Sequence, residues 1–290
     1  MPTVRVSDVA IFYQQLGRGQ DLVLVHGLAA HHASWPLEVL LSLARHHRVT
    51  TFDLRGHGQS GMPNKGYTVK RMAQDLAEFL EAVKVRNAFL IGHSFGGLIA
   101  LQYLLHQPHR VAKAVIVDVR HRRLQPRVPF DQWPGGACLR EGLIESKEDL
   151  DSVSAEAGLW VLEQLAKRSQ SGSLWDLCCR ESFIPFGGPN GARRSAHHWI
   201  QLLETTTLKG EILADPGFDP SELAGLACPL LAVYGQKSPF LENLNHLSRI
   251  ISHMEYKIIS GAGHFLPWTH TQIFLETVLA FFEPHAKTAR

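Results

Sequence analysis

The chain has 290 residues, of which 45% are hydrophobic and 19% charged, and its formal net charge is +2 at pH 7. A chain this apolar does not belong to the disordered class, and so small a charge gives no basis for expecting a nucleic-acid partner. The length suits either two domains of about 150 residues or one large α/β domain.

The sequence shows no pattern typical of a membrane-spanning, secreted or disulfide-rich protein. No apolar run approaches the roughly 20 residues of a membrane-spanning helix, and the first residues lack the pattern of a secretory signal. The cysteines show no C-x-x-C spacing; they are Cys138, Cys178, Cys179 and Cys228. The 17 histidines are scattered along the chain. We therefore expect a reduced, cytoplasmic protein without a metal centre or a membrane partner.

Short apolar runs alternate with amphipathic stretches, which is typical of βα units and a mostly parallel sheet. An antiparallel hairpin at the sheet edge is predicted for residues 4–16. The runs that predict strands buried on both faces are 22–26, 49–54, 88–92, 114–118, 230–234 and 256–259. Helices are predicted at 69–83, 95–106 and 273–282, and the second of these is apolar nearly all round.

The region from 119 to 226 breaks this alternation. It contains no convincing buried-strand run, and its periodicity predicts helices at 148–169 and 194–208. Glycine and proline at 134–136 and 187–189 indicate loops. The basic run at 120–127 is interpreted as a solvated hinge rather than as a site for an acidic substrate. The whole region is therefore predicted to be a helical insertion between two strands.

A G-x-S-x-G motif carries the clearest chemical signal. Gly92-His93-Ser94-Phe95-Gly96 directly follows a predicted strand and precedes the predicted buried helix. The turn between them must be tight, so that Gly92 and Gly96 avoid side-chain clashes and the Ser94 hydroxyl stands above the helix N-terminus. In this setting Ser94 is the candidate nucleophile.

Four segments together resemble the α/β-hydrolase-fold family, in its order and spacing. The segments are His26-Gly27-Leu28, 53–60 (DLRGHGQS), 92–97 (GHSFGG) and Gly261-Ala262-Gly263-His264-Phe265. The resemblance implies an α/β-hydrolase fold: a mostly parallel central sheet flanked by helices, with an inserted helical lid. It divides the chain into one core, residues 1–118 and 227–290, and a lid, residues 119–226. It implies no cofactor and no metal.

The resemblance also supplies roles for the residues around Ser94. His264, in a glycine-rich loop after the last predicted strand, is the candidate general base, because a near-neutral imidazole can take and return the serine proton. The family forms its oxyanion hole from two backbone N–H groups, which correspond here to Leu28 and Phe95. His26 and Asp53 are expected to order loops beside the site.

The triad acid departs from the family pattern. The usual position, in a turn after the strand that follows the lid, is occupied by Ser238, which supplies no negative charge. Some relatives move the acid to the end of the strand before the lid, and Asp118 is therefore our candidate. Glu242 and the absence of any acid remain as alternatives.

The sequence predicts a serine hydrolase of a largely apolar carboxylic ester, or of a thioester such as an acyl-carrier thioester. The aromatic residues of the lid favour a hydrophobic acyl pocket; they are Phe130, Trp133, Trp160, Trp175, Phe183, Phe186 and Trp199. We expect His93, Phe265, Trp133 and Trp160 to contact the substrate.

Other chemistries remain open on the same Ser94 and His264. They are acyl transfer with lactonisation, cofactor-free haloperoxidase chemistry and C–C bond hydrolysis. A serine nucleophile argues against a haloalkane dehalogenase or an epoxide hydrolase, which need Asp at that position. The alternative from another class is a ligand-binding, receptor-like protein on a hydrolase scaffold. The oligomeric state is not readable from the sequence.

Overall fold

One mixed sheet organises the protein. The computed structural model describes residues 2–136, 139, 157–171, 186 and 192–283. The strands are β1 (Thr3–Val6), β2 (Val9–Leu16), β3 (Gln20–Val25), β4 (His47–Phe52), β5 (Ala88–His93), β6 (Val111–Val117), β7 (Leu230–Gly235) and β8 (Glu255–Ile259). Their order in the sheet is β1-β2-β4-β3-β5-β6-β7-β8. The predicted hairpin is confirmed as β1 and β2, which pair antiparallel at one edge, and the strands from β3 to β8 run parallel.

Helices cover both faces of this sheet. Among the described residues they are α1 (Leu37–Ala44), α2 (Val69–Ala82), α3 (Phe95–His106), α4 (Ala157–Ser171), α5 (Ala192–Thr205), α6 (Leu208–Ala214), α7 (Leu241–Ile250), α8 (Leu266–Thr269) and α9 (Thr271–Phe282). The helices predicted at 69–83, 95–106 and 273–282 are confirmed as α2, α3 and α9. None of the helices in the described ranges is long and apolar enough to cross a membrane.

The central strands are buried on both faces, as their continuous hydrophobicity predicts. In β6, Ala114 and Ile116 belong to the core under α2 and α3, whereas Val115 and Val117 belong to the core under α1 and α9. The pleat sends successive side chains to opposite faces. One hydrophobic core therefore packs against each face of the sheet, and the loops at its carboxyl edge extend from strands that are buried on both sides.

Strand β8 differs from the prediction of a strand buried on both faces. Four of its five residues are exposed, including Tyr256 at 58% and Ile258 at 42%. The physical reason is position: β8 is the last strand of the sheet order and pairs with β7. An apolar run cannot by itself distinguish an edge strand from a central one.

Among the described helices, α1, α6, α7 and α8 were not predicted from the sequence, and α6 and α8 are only seven and four residues long. Helix α1 carries Leu37 and Leu41 on its exposed side, so its apolar residues do not mark a single face. Helix α7 buries Asn243 beside Leu244 and Leu247, and a polar residue on the inner face hides the helical period.

The segment between β6 and β7 is helical in its described residues, without a strand. The helix predicted at 194–208 corresponds to α5, which ends at Thr205. The one predicted at 148–169 corresponds to α4 from residue 157 onward, and residues 148–156 lie outside the described ranges. Several other residues named in the sequence analysis also lie outside the described ranges: Cys138, Cys178, Cys179, Trp175, Phe183 and residues 187–189. Cys228 is a buried free thiol.

Candidate active site

Ser94 lies in a strained turn between β5 and α3. Its backbone φ is 55° and its ψ is −122°, in a region that non-glycine residues adopt at a cost of about 1–3 kcal/mol. The flanking glycines make the turn sterically feasible: a Cβ on Gly92 would lie 2.6 Å from the Gly96 carbonyl oxygen, and one on Gly96 would lie 2.5 Å from the His26 carbonyl oxygen. The strained backbone conformation of Ser94 is therefore maintained by the surrounding packing and not by the local preference of the turn.

His264 is joined to Asp118 by a hydrogen bond. Its Nδ1 lies 2.9 Å from Asp118 Oδ1, and the two side chains are 8% and 0% exposed. A carboxylate can only accept, so the proton of the neutral imidazole is on Nδ1 and the Nε2 lone pair is left free. His264 and Ser94 line the same cavity. The residues predicted to be base, acid and nucleophile are thus brought to one corner of the fold.

Asp118 itself is held from two further directions. The backbone N–H of Gly235 donates to Oδ2 at 2.9 Å, and the Ser238 hydroxyl donates to Oδ1 at 2.5 Å. Ser238 Oγ in turn accepts the Phe240 N–H at 3.0 Å. The Asp118 backbone has a φ of 50°, which Asp tolerates better than most residues. The carboxylate is therefore locked in position against the imidazole.

Glu242 lies away from this arrangement. It is in the first turn of α7 with a side chain that is 60% exposed, and its carboxylate lies 3.7 Å from His246 on the same helix. It has no contact with His264. Of the alternatives left open by the sequence, the structure brings Asp118 and not Glu242 to the imidazole.

The loop after β3 lies directly against the nucleophile turn. A Cβ on Gly27 would lie 3.1 Å from Ser94 Cβ, so the backbone that leads into Leu28 passes beside the serine. Phe95 is the first residue of α3, where backbone N–H groups lack intrahelical acceptors. Leu28 and Phe95 both line the cavity. Their N–H groups are suitably placed candidates for stabilising negative charge beside Ser94.

His26 anchors that loop, as expected from the sequence. Its Nδ1–H donates to the Gly27 carbonyl at 2.8 Å, and its Nε2 accepts the Leu54 N–H at 3.1 Å. Burial lowers the pKa of His26 to about 3, so the ring stays neutral and both bonds persist at neutral pH. The loop of Leu28 is therefore tied to the loop after β4.

Asp53 is the second anchor. Asp53 Oδ1 accepts the His32 N–H at 2.5 Å and His32 Nδ1–H at 2.9 Å, and Oδ2 accepts the Gln59 N–H at 2.7 Å. The ligand atoms of Asp53, His32 and His31 lie within 4.8 Å of one another, which is the nearest approach to a metal-binding group among the described residues. Hydrogen bonds already account for both carboxylate oxygens. The arrangement is that of a loop anchor.

The four residues expected to contact substrate have different positions. Phe265 and Trp133 line the cavity, whereas Trp160 does not and instead packs edge-on against Phe130 with ring centroids 5.5 Å apart. His93 also borders the cavity, but its side chain is buried and its Nε2–H donates to the His264 carbonyl at 3.0 Å. Burial, with the neighbouring imidazole, holds the pKa of His93 well below its ordinary value. His93 therefore braces the base as a neutral ring.

The cavity wall is mostly apolar with a few polar groups. Apolar lining residues include Leu98, Leu162, Ile212 and Phe240, and the polar ones include Arg120, His121 and Asp215. Arg120 and His121 belong to the basic run at 120–127, and its interpretation as a solvated hinge is wrong for these two residues, because both line the cavity and His121 is buried. Asp215 was not singled out, because an isolated polar residue in a poorly periodic segment carries no recognisable signal. The positioning role of Ser238 was also missed, since the sequence showed only that an acid was absent there.

Comparisons with known proteins bear on the family and the fold of the chain. Residues 22–137 match the model of a family described as alpha/beta hydrolase fold. The chain is 40% identical over 299 residues to a non-heme chloroperoxidase of Streptomyces lividans, covering 97% of this chain and 99% of the relative.

Solved structures show the same fold. The esterase RhEst1 from Rhodococcus sp. ECU1013 has a TM-score of 0.68 at 24% identity, covering 96% of both chains. Est816, described as an N-acyl homoserine lactone degrading enzyme, has a TM-score of 0.68 at 23% identity, covering 97% of this chain and 100% of its own.

Proposed function

Because this chain belongs to the α/β-hydrolase family, we propose that it is a serine hydrolase that cleaves a carboxylic ester or thioester through an acyl-enzyme on Ser94. The observation that carries the proposal is the hydrogen-bonded pair His264–Asp118 at the cavity that Ser94 lines. The relatives of this family include proteins named as esterases and lipases, which supports a hydrolase.

The first half of the reaction transfers the acyl group to the enzyme. Ser94 Oγ attacks the carbonyl carbon while His264 Nε2 takes its proton, and Asp118 stabilises the imidazolium that forms. The carbonyl oxygen becomes an oxyanion held by the Leu28 and Phe95 N–H groups, each worth about 10²–10³ in rate. The imidazolium then gives its proton to the departing alcohol or thiol as the bond to the leaving group breaks.

The second half releases the acid. A water molecule attacks the acyl carbon, His264 takes one water proton, and the collapse of the second tetrahedral species returns that proton to Ser94. Both halves use side chains and backbone groups of the chain itself. An internal hydroxyl of the substrate in place of water would give a lactone by the same steps.

The division into core and lid belongs to this proposal. Residues 119–226 act as a lid on the core formed by 1–118 and 227–290. The support is that Leu162 of α4 and Ile212 of α6 line the same cavity as Ser94. A lid that supplies apolar wall favours a largely apolar acyl group over a charged one.

A fluorophosphonate probe tests the proposal. The wild-type protein is expected to be labelled within minutes, and Ser94→Ala is expected to lose both labelling and hydrolysis of p-nitrophenyl esters and acyl thioesters. Cys228, a buried thiol, offers a control: Cys228→Ser should label like wild type. Absence of labelling in folded wild-type protein would reject the proposal and favour a receptor-like protein instead.

A second candidate, perhydrolysis with halide oxidation, is favoured by the full-length relative named as a non-heme chloroperoxidase. Hydrogen peroxide in place of water would attack the acyl-enzyme to give a peracid and free Ser94. The peracid would then oxidise a halide ion to hypohalous acid and be reduced to the carboxylic acid. Halogenation that requires both a carboxylic acid and Ser94 would support this activity, and halogenation retained in Ser94→Ala would reject it.

A further inference from the structure

A second cavity adjoins the catalytic one. It lies between the loop after β3, the loop after β4 and the first half of α5. Ala30 lines both cavities, so the two are neighbours across the loop that carries Leu28. We call this second cavity the histidine recess.

The rim of the histidine recess is rich in basic groups. Arg193 and Arg194, in the first turn of α5, are exposed side chains that line it, and His197 follows on the same helix. No described residue that lines the recess carries a carboxylate. The N-terminal end of α5 adds the positive end of a helix dipole. The rim therefore attracts an anion.

Two residues that line the recess each have a buried polar atom without a hydrogen-bond partner. The atoms are His57 Nε2 and Trp199 Nε1, on side chains that are 2% and 1% exposed. The ring centroids of these two residues lie 5.8 Å apart. Leaving a buried polar group without a hydrogen bond costs free energy. A ligand that forms the missing hydrogen bonds to these two atoms would recover that free energy.

The two atoms need opposite hydrogen-bond partners. His57 Nδ1–H donates to the Arg55 carbonyl at 2.8 Å, which leaves Nε2 as an acceptor in the neutral ring. The indole N–H of Trp199 can only donate. A ligand that fits both must offer an acceptor oxygen and a proton close together.

A phosphate group can form hydrogen bonds with both buried atoms and carries the negative charge that the basic rim attracts. A phosphate monoester has a second pKa of about 6, so near neutral pH one proton is readily shared between a phosphate oxygen and an imidazole nitrogen. A second phosphate oxygen accepts the indole N–H, and the remaining charge faces the arginines. Sulfate has the same shape but no proton at this pH.

We propose that the histidine recess binds a phosphate monoester group, or free phosphate, through Arg193, Arg194, His57 and Trp199. The group is either carried on the substrate's leaving part or supplied by a separate phosphorylated molecule. The first source rests on the proposed acyl-transfer chemistry; the second does not. Binding itself is independent of turnover, so its measurement separates failure of this site from failure of the proposed hydrolase.

Titration calorimetry at pH 6.5 with inorganic phosphate tests the site. Wild-type protein is expected to bind phosphate, to bind sulfate at least about 10-fold more weakly, and to lose at least about 10-fold in phosphate affinity in R193Q/R194Q. The matched control R18Q/R249Q removes two exposed arginines outside the recess and should bind like wild type. No phosphate binding, equal binding of sulfate, or unchanged affinity in R193Q/R194Q would each overturn the proposal.

Kinetics then distinguish the two sources. S-acetyl-4′-phosphopantetheine and S-acetylpantetheine differ by one phosphate monoester. A higher kcat/KM for the phosphorylated thioester, with the ratio reduced in R193Q/R194Q, supports a substrate-borne phosphate. Equal kcat/KM for the two, with phosphate binding intact by calorimetry, supports a separate phosphorylated ligand. Preference for the unphosphorylated thioester together with no phosphate binding overturns both.

Discussion

Ser238 donates its hydroxyl proton to Asp118 Oδ1 at 2.5 Å, on the same oxygen that faces His264 Nδ1 at 2.9 Å. The serine at the end of β7 and the carboxylate at the end of β6 therefore meet at one point beside the imidazole. Because Ser238 and Asp118 are in direct contact, we expect a carboxylate at either strand end to reach His264.

Loss of charge at Asp118 is expected to impair turnover strongly. Asp118→Asn preserves size and tolerates the positive φ, but it cannot stabilise an imidazolium, so kcat for a p-nitrophenyl ester should fall by about 10²–10⁴-fold. Glu242→Gln is the control and should keep wild-type kinetics, because Glu242 is exposed on α7. The reverse pattern would reassign the acid.

The acid is expected to be movable between the two strand ends. In Asp118→Asn/Ser238→Asp, a carboxylate at 238 replaces the lost charge near His264, and kcat should recover at least about 10-fold relative to Asp118→Asn alone. Ser238→Asp alone places two carboxylates in contact and should be less active than wild type. Stopped assays of the purified variants, with unfolding curves to check the fold, measure both. A double variant no better than Asp118→Asn would show that residue 238 cannot reach the imidazole.

The glycines of the nucleophile turn are expected to be sterically essential. Gly96→Ala forces a Cβ against the His26 carbonyl oxygen and should lower the free energy of unfolding by about 1–3 kcal/mol. Gly210→Ala is the matched control, since nothing lies within 4 Å of a Cβ there and α6 should gain up to about 1 kcal/mol. Urea unfolding followed by circular dichroism gives both values. Equal stability of the two variants would contradict the packing around Gly96.

Stability is expected to fall in mild acid because of buried neutral histidines. Burial lowers the pKa of His26 to about 3 and that of His57 to about 4, from the usual 6.5 of a histidine. Below pH 6.5 these two histidines bind protons in the unfolded chain but stay neutral in the folded chain. The free energy of unfolding therefore decreases as the pH falls toward 4.

Each such histidine contributes a slope of up to about 1.4 kcal/mol per pH unit in this window. Urea unfolding at several values between pH 7.5 and 4.5 measures the slope. His57→Asn, which keeps a donor for the Arg55 carbonyl, should reduce the slope by up to about 1.4 kcal/mol per pH unit. A slope in His57→Asn equal to that of the wild type would mean that His57 is charged in the folded state.

Much of the fold and the candidate nucleophile turn were readable from the sequence because both depend on local patterns. Continuous apolar runs mark central parallel strands, and G-x-S-x-G between a strand and a helix marks the turn of Ser94. The exposure of β8 could not be predicted, because it depends on which strands and helices lie next to β8 in the folded sheet. Helix α7 was also missed, because the buried Asn243 interrupts its apolar face.

By itself the sequence determined the order of the strands along the chain, the positions of α2, α3 and α9, the candidate nucleophile and the candidate base, since each follows from short stretches of residues. Only the tertiary structure decided which carboxylate meets His264, because Asp118 and Ser238 are far apart in the chain and adjacent only where β6 and β7 pair. The same holds for the histidine recess. Its arginines and two of its histidines come from α5, and its other histidines come from the loops after β3 and β4. No spacing in the sequence predicts that packing brings these elements together.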